Sequence, residues 1–133
     1  MIRELTKEEG RSFLKLVYLA INSDSVVFDE EKAAFEGYVK KLGLDETLDS
    51  FSSASLEETL SEVNTYELRK KKIIFTEILG VLYSDEIFDE EETDFVNTIG
   101  NELGFSEADV WDMENAVVNY LTAYKALIDI VSE

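Results

Sequence analysis

The chain has 133 residues, 45% of them hydrophobic, which suits one domain with a real core and excludes a disordered acidic tail despite 32% charged residues. It contains no cysteine and no histidine, which removes a disulfide framework, thiolate or imidazole metal ligands and any serine–histidine triad. The net charge of −18 is uneven: residues 1–72 carry 15 acids and 11 bases (−4), and residues 73–133 carry 15 acids and one base, Lys125 (−14), a distribution that repels nucleic acid and anionic lipid.

There is no proline, and β-branched residues do not alternate with polar ones, so helices are expected throughout. The start, MIRELTKEEGRSF, has no secretory apolar region, and the apolar runs are too short to span a bilayer. A cytoplasmic protein without direct membrane insertion is the expectation.

Thr6 to Glu9 have the capping-box spacing and should open the first helix. From Phe13 to Ile21 only Lys15 is charged, which predicts a helix buried on nearly every side and ending near Asn22 to Ser25. Asp29 should cap a second helix whose inward face is Phe35, Tyr38, Val39 and Leu42, with Gly43 in the left-handed conformation just beyond its end. Asp45 is a candidate cap for a short turn holding Leu48 and Phe51, followed by a loop at 52–54. Ser55 and Glu58 form a second capping-box pattern, opening a helix with Leu56, Leu60 and Val63 inward. Asn64 or Thr65 should cap a long fourth helix, basic at Arg69 to Lys72 and apolar from Ile73 to Tyr83. Gly80 in that run predicts a close helix–helix contact. A knot of seven acids follows within ten residues, from Asp85 to Asp94, and then a helix with Phe95, Val96, Ile99 and Leu103 inward, ended by Gly104. Ser106 to Asp109 open the last helix, where Val110, Met113, Val117, Tyr120, Tyr124, Leu127 and Val131 are spaced 3, 4, 3, 4, 3, 4. Trp111, Leu121, Ala123 and Ile128 widen this seam beyond that of a two-stranded coiled coil, so the helix is expected to pack along the bundle rather than form a dimer.

The chain repeats itself. Ser23-Asp24 matches Ser84-Asp85 at a shift of 61, Phe28 to Glu31 and Phe35 match Phe88 to Glu91 and Phe95 at 60, and Leu42-Gly43-Leu44 matches Leu103-Gly104-Phe105 at 61. The predicted fold is a single all-α domain over 1–133, of about six to seven helices. Two helix–acidic loop–helix hairpins should pack through their first helices as a pseudo-twofold pair, with a long C-terminal helix added. Lys15 and Glu77, the charges most at risk of burial there, are expected to pair.

The apolar helix, the turn Ser23-Asp24-Ser25-Val26-Val27 with Glu31 after it, and the ending Leu42-Gly43-Leu44 resemble the TerB-like (tellurite resistance) domain. The second copy reads Ser84-Asp85-Glu86-Ile87 with Glu91 or Glu92, ending Leu103-Gly104-Phe105. The likeness covers roughly residues 10 to 130, and Ser25 and Glu86 stand where the family favours glycine. The resemblance implies an all-helical fold of about seven helices, a cytoplasmic role in tellurite or envelope stress, and carboxylates suspected of holding a divalent ion.

A cation site also follows from the residues themselves. Hard divalent ions such as calcium or magnesium take carboxylate and carbonyl oxygens together, and a helix C-terminus offers unpaired carbonyls. Asp24 and Asp85 follow such ends, and Asp29 with Glu31, and Asp89 with Glu92, are close enough to converge on the same turns. These six carboxylates are the candidate ligands for a weak site. Acids in the first turn of a helix are also stabilised with no ligand at all, by ~0.3–1 kcal/mol each. The spacing is not that of an EF-hand, because the third and twelfth positions counted from Asp24 are Val26 and Phe35. The alternative is a docking module whose acidic surface binds a basic or membrane-associated partner. No nucleophile–base pair or phosphate-cradling glycine loop marks an enzyme.

Overall fold

The computed structural model describes residues 1–22, 29–83 and 90–132, except for the side chains of Glu30 and of Glu90 to Glu92. Among these residues there are six α-helices, two short 3-10 turns and no strand, as an all-α fold requires. The helices are α1 (Lys7–Ile21), α2 (Asp29–Lys41), α3 (Leu56–Val63), α4 (Leu68–Tyr83), α5 (Glu90–Glu102) and α6 (Glu107–Ser132). The 3-10 turns cover Ile2–Glu4 and Leu48–Phe51.

The helix starts follow from local chemistry. Thr6 Oγ1 accepts from the Glu9 amide at 3.1 Å, and the Glu9 carboxylate accepts from the Thr6 amide at 2.8 Å, which completes the capping box of α1. Ser106 and Asp109 make the same reciprocal pair at the start of α6. Ser55 caps α3 by accepting from the Glu58 amide. The start of α2 adjoins residues 23–28, so the cap expected of Asp29 lies at the edge of the described residues. Two other starts differ from expectation. The turn at Leu48 is capped by Thr47, whose amide donates to Ser50 Oγ, and not by Asp45. Asn64 and Thr65 close α3, through the Asn64 amide to the Leu60 carbonyl and Thr65 Oγ1 to the Glu62 carbonyl, so α4 begins later, at Leu68.

The two hairpins end alike. Gly43 has φ +67° and Gly104 φ +84°, and these are the described residues with left-handed backbone. At each, the glycine amide bonds back three residues and the next amide five: Gly43 to Lys40 and Leu44 to Val39, Gly104 to Asn101 and Phe105 to Gly100. This is the Schellman arrangement, and a Cβ at either glycine would be strained.

Packing follows the same plan. α1 lies against α2, α3 and α4, and α4 against α1, α5 and α6. Phe13, Leu14, Leu16, Val17 and Ile21 of α1 and Ile74, Phe75, Ile78 and Leu79 of α4 have no exposed surface, so the two apolar helices form the centre as the repeat predicts. The Phe13 ring meets Tyr38 edge-on at 4.9 Å, and Phe75 stacks on Phe105 at 5.3 Å.

Two close-packing expectations are overturned. A Cβ built on Gly80 meets nothing within 4 Å, whereas one on Gly100 would lie 2.8 Å from Val110 Cγ2 and 3.4 Å from the Phe75 ring. The tight crossing is therefore at α5, where α6 and α4 converge. The expected Lys15–Glu77 pair is also absent. Lys15 bonds Glu62 of α3 at 3.1 Å, and Glu77 accepts the Tyr38 hydroxyl at 2.9 Å. Lys15 thus finds its partner on α3, and Glu77 reaches across to α2 of the other hairpin.

Candidate functional site

The acidic turns are the first candidate. Asp24, Asp85 and Asp89 lie outside the described residues, as does the side chain of Glu92, so the convergence expected there has no description. Asp29 is exposed on the first residue of α2. Glu31, two residues further on, is buried at 6% exposure, an unusual place for a carboxylate. No group of three acidic side chains able to hold a metal occurs among the described residues.

The charge of the remaining surface is set by how the bases are used. Arg11 pairs with Glu46, Lys15 with Glu62, Arg69 with Glu4 and Lys70 with Glu9. Arg69 grips Glu4 through Nε and Nη2, and Lys70 also donates to the Glu4 carbonyl, which fixes the first 3-10 turn onto the start of α4. These pairs offset the unfavourable placement of four bases in the first turns of a helix. For Glu62, burial works against ionisation, but hydrogen bonds from Lys15 and Ser12 outweigh it and hold the carboxyl below its ordinary value. Ser12 is itself buried, and its hydroxyl bonds Glu62 at 2.9 Å and the Tyr66 hydroxyl at 2.8 Å, so this cluster ties α1 to the α3 end.

The second half is more acidic, with Lys125 as the one base of residues 73–133. Asp94, Glu102, Glu107, Asp109, Asp112 and Asp129 are all exposed. Glu114 is half-buried, and burial raises its carboxyl above the ordinary value. Arg11, Lys15, Arg69 and Lys70, the bases of these four ion pairs, all sit before residue 73.

The sequence pattern did not reveal the third surface. α4, α6 and the end of α2 enclose an open groove of about 910 Å3. Its walls are apolar at Leu68, Ile73, Val117 and Leu121, and Lys41, Arg69 and Lys72 stand along it. Tyr38 closes one side; burial first, and then the nearby Glu77 carboxylate, push its hydroxyl pKa far up, so it stays protonated and donates to Glu77.

α6 departs most from expectation. It contains no fully buried residue. Val110, Met113 and Val117 pack partly on the core, but Tyr120 (68%), Tyr124 (54%), Leu127 (56%) and Val131 (74%) are exposed. The periodic seam was legible in the sequence. What it rests against was not, because spacing reports an apolar face and not the presence of a neighbour. Among the described residues no helix is long and apolar enough to cross a membrane. Compared with known proteins, the chain matches no family model, no curated protein and no solved structure.

Proposed function

We propose that this chain is a non-enzymatic acidic helical module that docks onto a basic protein surface through α5, α6 and the adjoining acidic turn. The observation that supports it is the division of charge: the described ion pairs use bases of the first half on first-half acids, while the second half carries a sequence charge of −14 and its acids Asp94, Glu102, Glu107, Asp109, Asp112 and Asp129 are exposed. Such a surface steers a cationic partner and loses affinity as salt screens it. Titration of the 15N-labelled protein with a lysine-rich peptide tests this. Amide shifts along α5 and the start of α6 that disappear at high salt support the reading, and a peptide that shifts nothing at low salt refutes it.

Glu31 favours a second reading. A carboxylate buried near the start of α2 suits a weak calcium or magnesium site in the acidic segments, with Asp24, Asp29, Asp85, Asp89 and Glu92 as further ligands. The resemblance to TerB-like domains supports that reading and, with it, a cytoplasmic role in tellurite or envelope stress. Calcium-induced amide shifts confined to residues 22–31 and 84–94 are its expected signature.

A further inference from the structure

From Val118 to Ser132 every residue of α6 except Leu121 is exposed. Taking Val117 as the first heptad position, the seam continues through Tyr120, Tyr124, Leu127 and Val131. The positions flanking it are Ala116, Leu121, Ala123, Ile128 and Ile130, so this whole side of the helix lacks a charge. The charges of residues 115–132 are Lys125 and Asp129, and both fall on the opposite side. A 3–4 repeat with small and branched flanks is shaped for another helix rather than for a flat surface.

We propose that the occupant of this face is a second copy of the chain, the distal half of each α6 lying in the α4–α6 groove of the other. Three observations select this occupant. A chain of net charge −18 repels its own kind everywhere except at a surface without acids, and the α6 seam is such a surface. The groove carries Lys41 and Lys72 at its edge against the single acid Glu77, and the distal half of an incoming α6 brings Lys125 and Asp129, which cancel, so this seat is free of the acid-on-acid repulsion that the rest of the surface would meet. Tyr120 both lines the groove and begins the exposed seam, so a twofold axis near it places each overhang against the other groove and closes the assembly. The exposed apolar side chains of the distal half present an area on the order of 700 Å2, near the ~800 Å2 per partner of a standard interface and above the size of an incidental patch.

Sedimentation equilibrium of the full chain tests the pairing. The expected result is twice the chain mass, reverting to the single-chain mass in two variants that keep wild-type helicity by circular dichroism. Leu127→Glu puts a charge on the exposed seam. Gly80→Met fills the groove from its floor, where a Cβ meets open space. A wild-type chain that stays monomeric at every concentration overturns the proposal, as does one that is monomeric and instead cosediments with phosphatidylcholine vesicles. A dimer that survives Leu127→Glu also overturns it, and one that survives Gly80→Met removes the groove as the seat.

Discussion

The two hairpins share a backbone plan and differ in what lies on top of them. In the first, Phe35 points into the core with 1% exposure and is covered by Phe51, 6.0 Å away edge-on. Counted back from the glycine that ends each helix, the second hairpin has the smaller Val96 at this position, also 1% exposed, and its phenylalanine, Phe95, stands one residue earlier and is half-buried. Conversely, Val39 occupies the position that Gly100 holds in the second hairpin, because α6 crosses there and leaves no room for a side chain. A duplicated plan can therefore keep its helix ends and its central helices while each copy is trimmed to its own cover.

That difference is breakable by substitution. Phe35→Ala should cost about 3–5 kcal/mol in urea unfolding, whereas Phe95→Ala should cost visibly less because less of its ring leaves water on folding. Equal losses would mean that the second hairpin is packed as tightly as the first. The glycines sharpen the same point. Gly100→Ala should destabilise by about 1–3 kcal/mol through overlap with Val110, while Gly80→Ala, with open space above it, should stabilise by up to ~1 kcal/mol through helix propensity. Thermal melts of the two variants should move in opposite directions.

The smallest expected effect concerns pH. Glu9 and Glu62 are held below the ordinary carboxylate value: burial opposes this, but Thr6 and Lys70 outweigh it for Glu9, and Lys15 and Ser12 for Glu62. Groups depressed in this way contribute fully above the unfolded carboxylate value and lose that contribution as pH falls through their lower folded values. Glu114 is raised by burial, so protonation favours the fold there and its penalty appears as pH rises. Glu62→Gln should flatten the acid limb of stability against pH, and Glu114→Gln should slightly raise stability at neutral pH. Both are read from denaturant midpoints across the titration.

Features set within a few residues were readable in advance. Thr6 with Glu9, Ser106 with Asp109, and the two glycine ends each depend on groups three to five positions apart, side chain to backbone in the first two and backbone to backbone at the glycines. Central burial of α1 and α4 was readable too, because a helix apolar on most sides has few other places to go. Contacts across distant segments were not. Lys15 and Glu62 are 47 residues apart, and Lys70 reaches back 61 residues to Glu9. Nothing local in either sequence selects those partners over Glu77 or solvent. Gly80 was misread for the same reason: a glycine in an apolar run fits a close crossing or the floor of a groove equally well. Of the candidate cation ligands, Asp29 is seen to be exposed and Glu31 buried, which the helix pattern alone did not separate.

One modest bond joins the halves at their edge. The Asn64 side-chain amide donates to the Glu102 carbonyl at 2.9 Å, filling an acceptor that the last turn of α5 cannot satisfy by itself. The terminus of α3 is thereby the lock on the terminus of α5. Fraying of either helix strips a partner from the other, so the two ends open together as one cooperative unit, and strain arriving at the second hairpin is felt by the segment that holds Lys15 through Glu62.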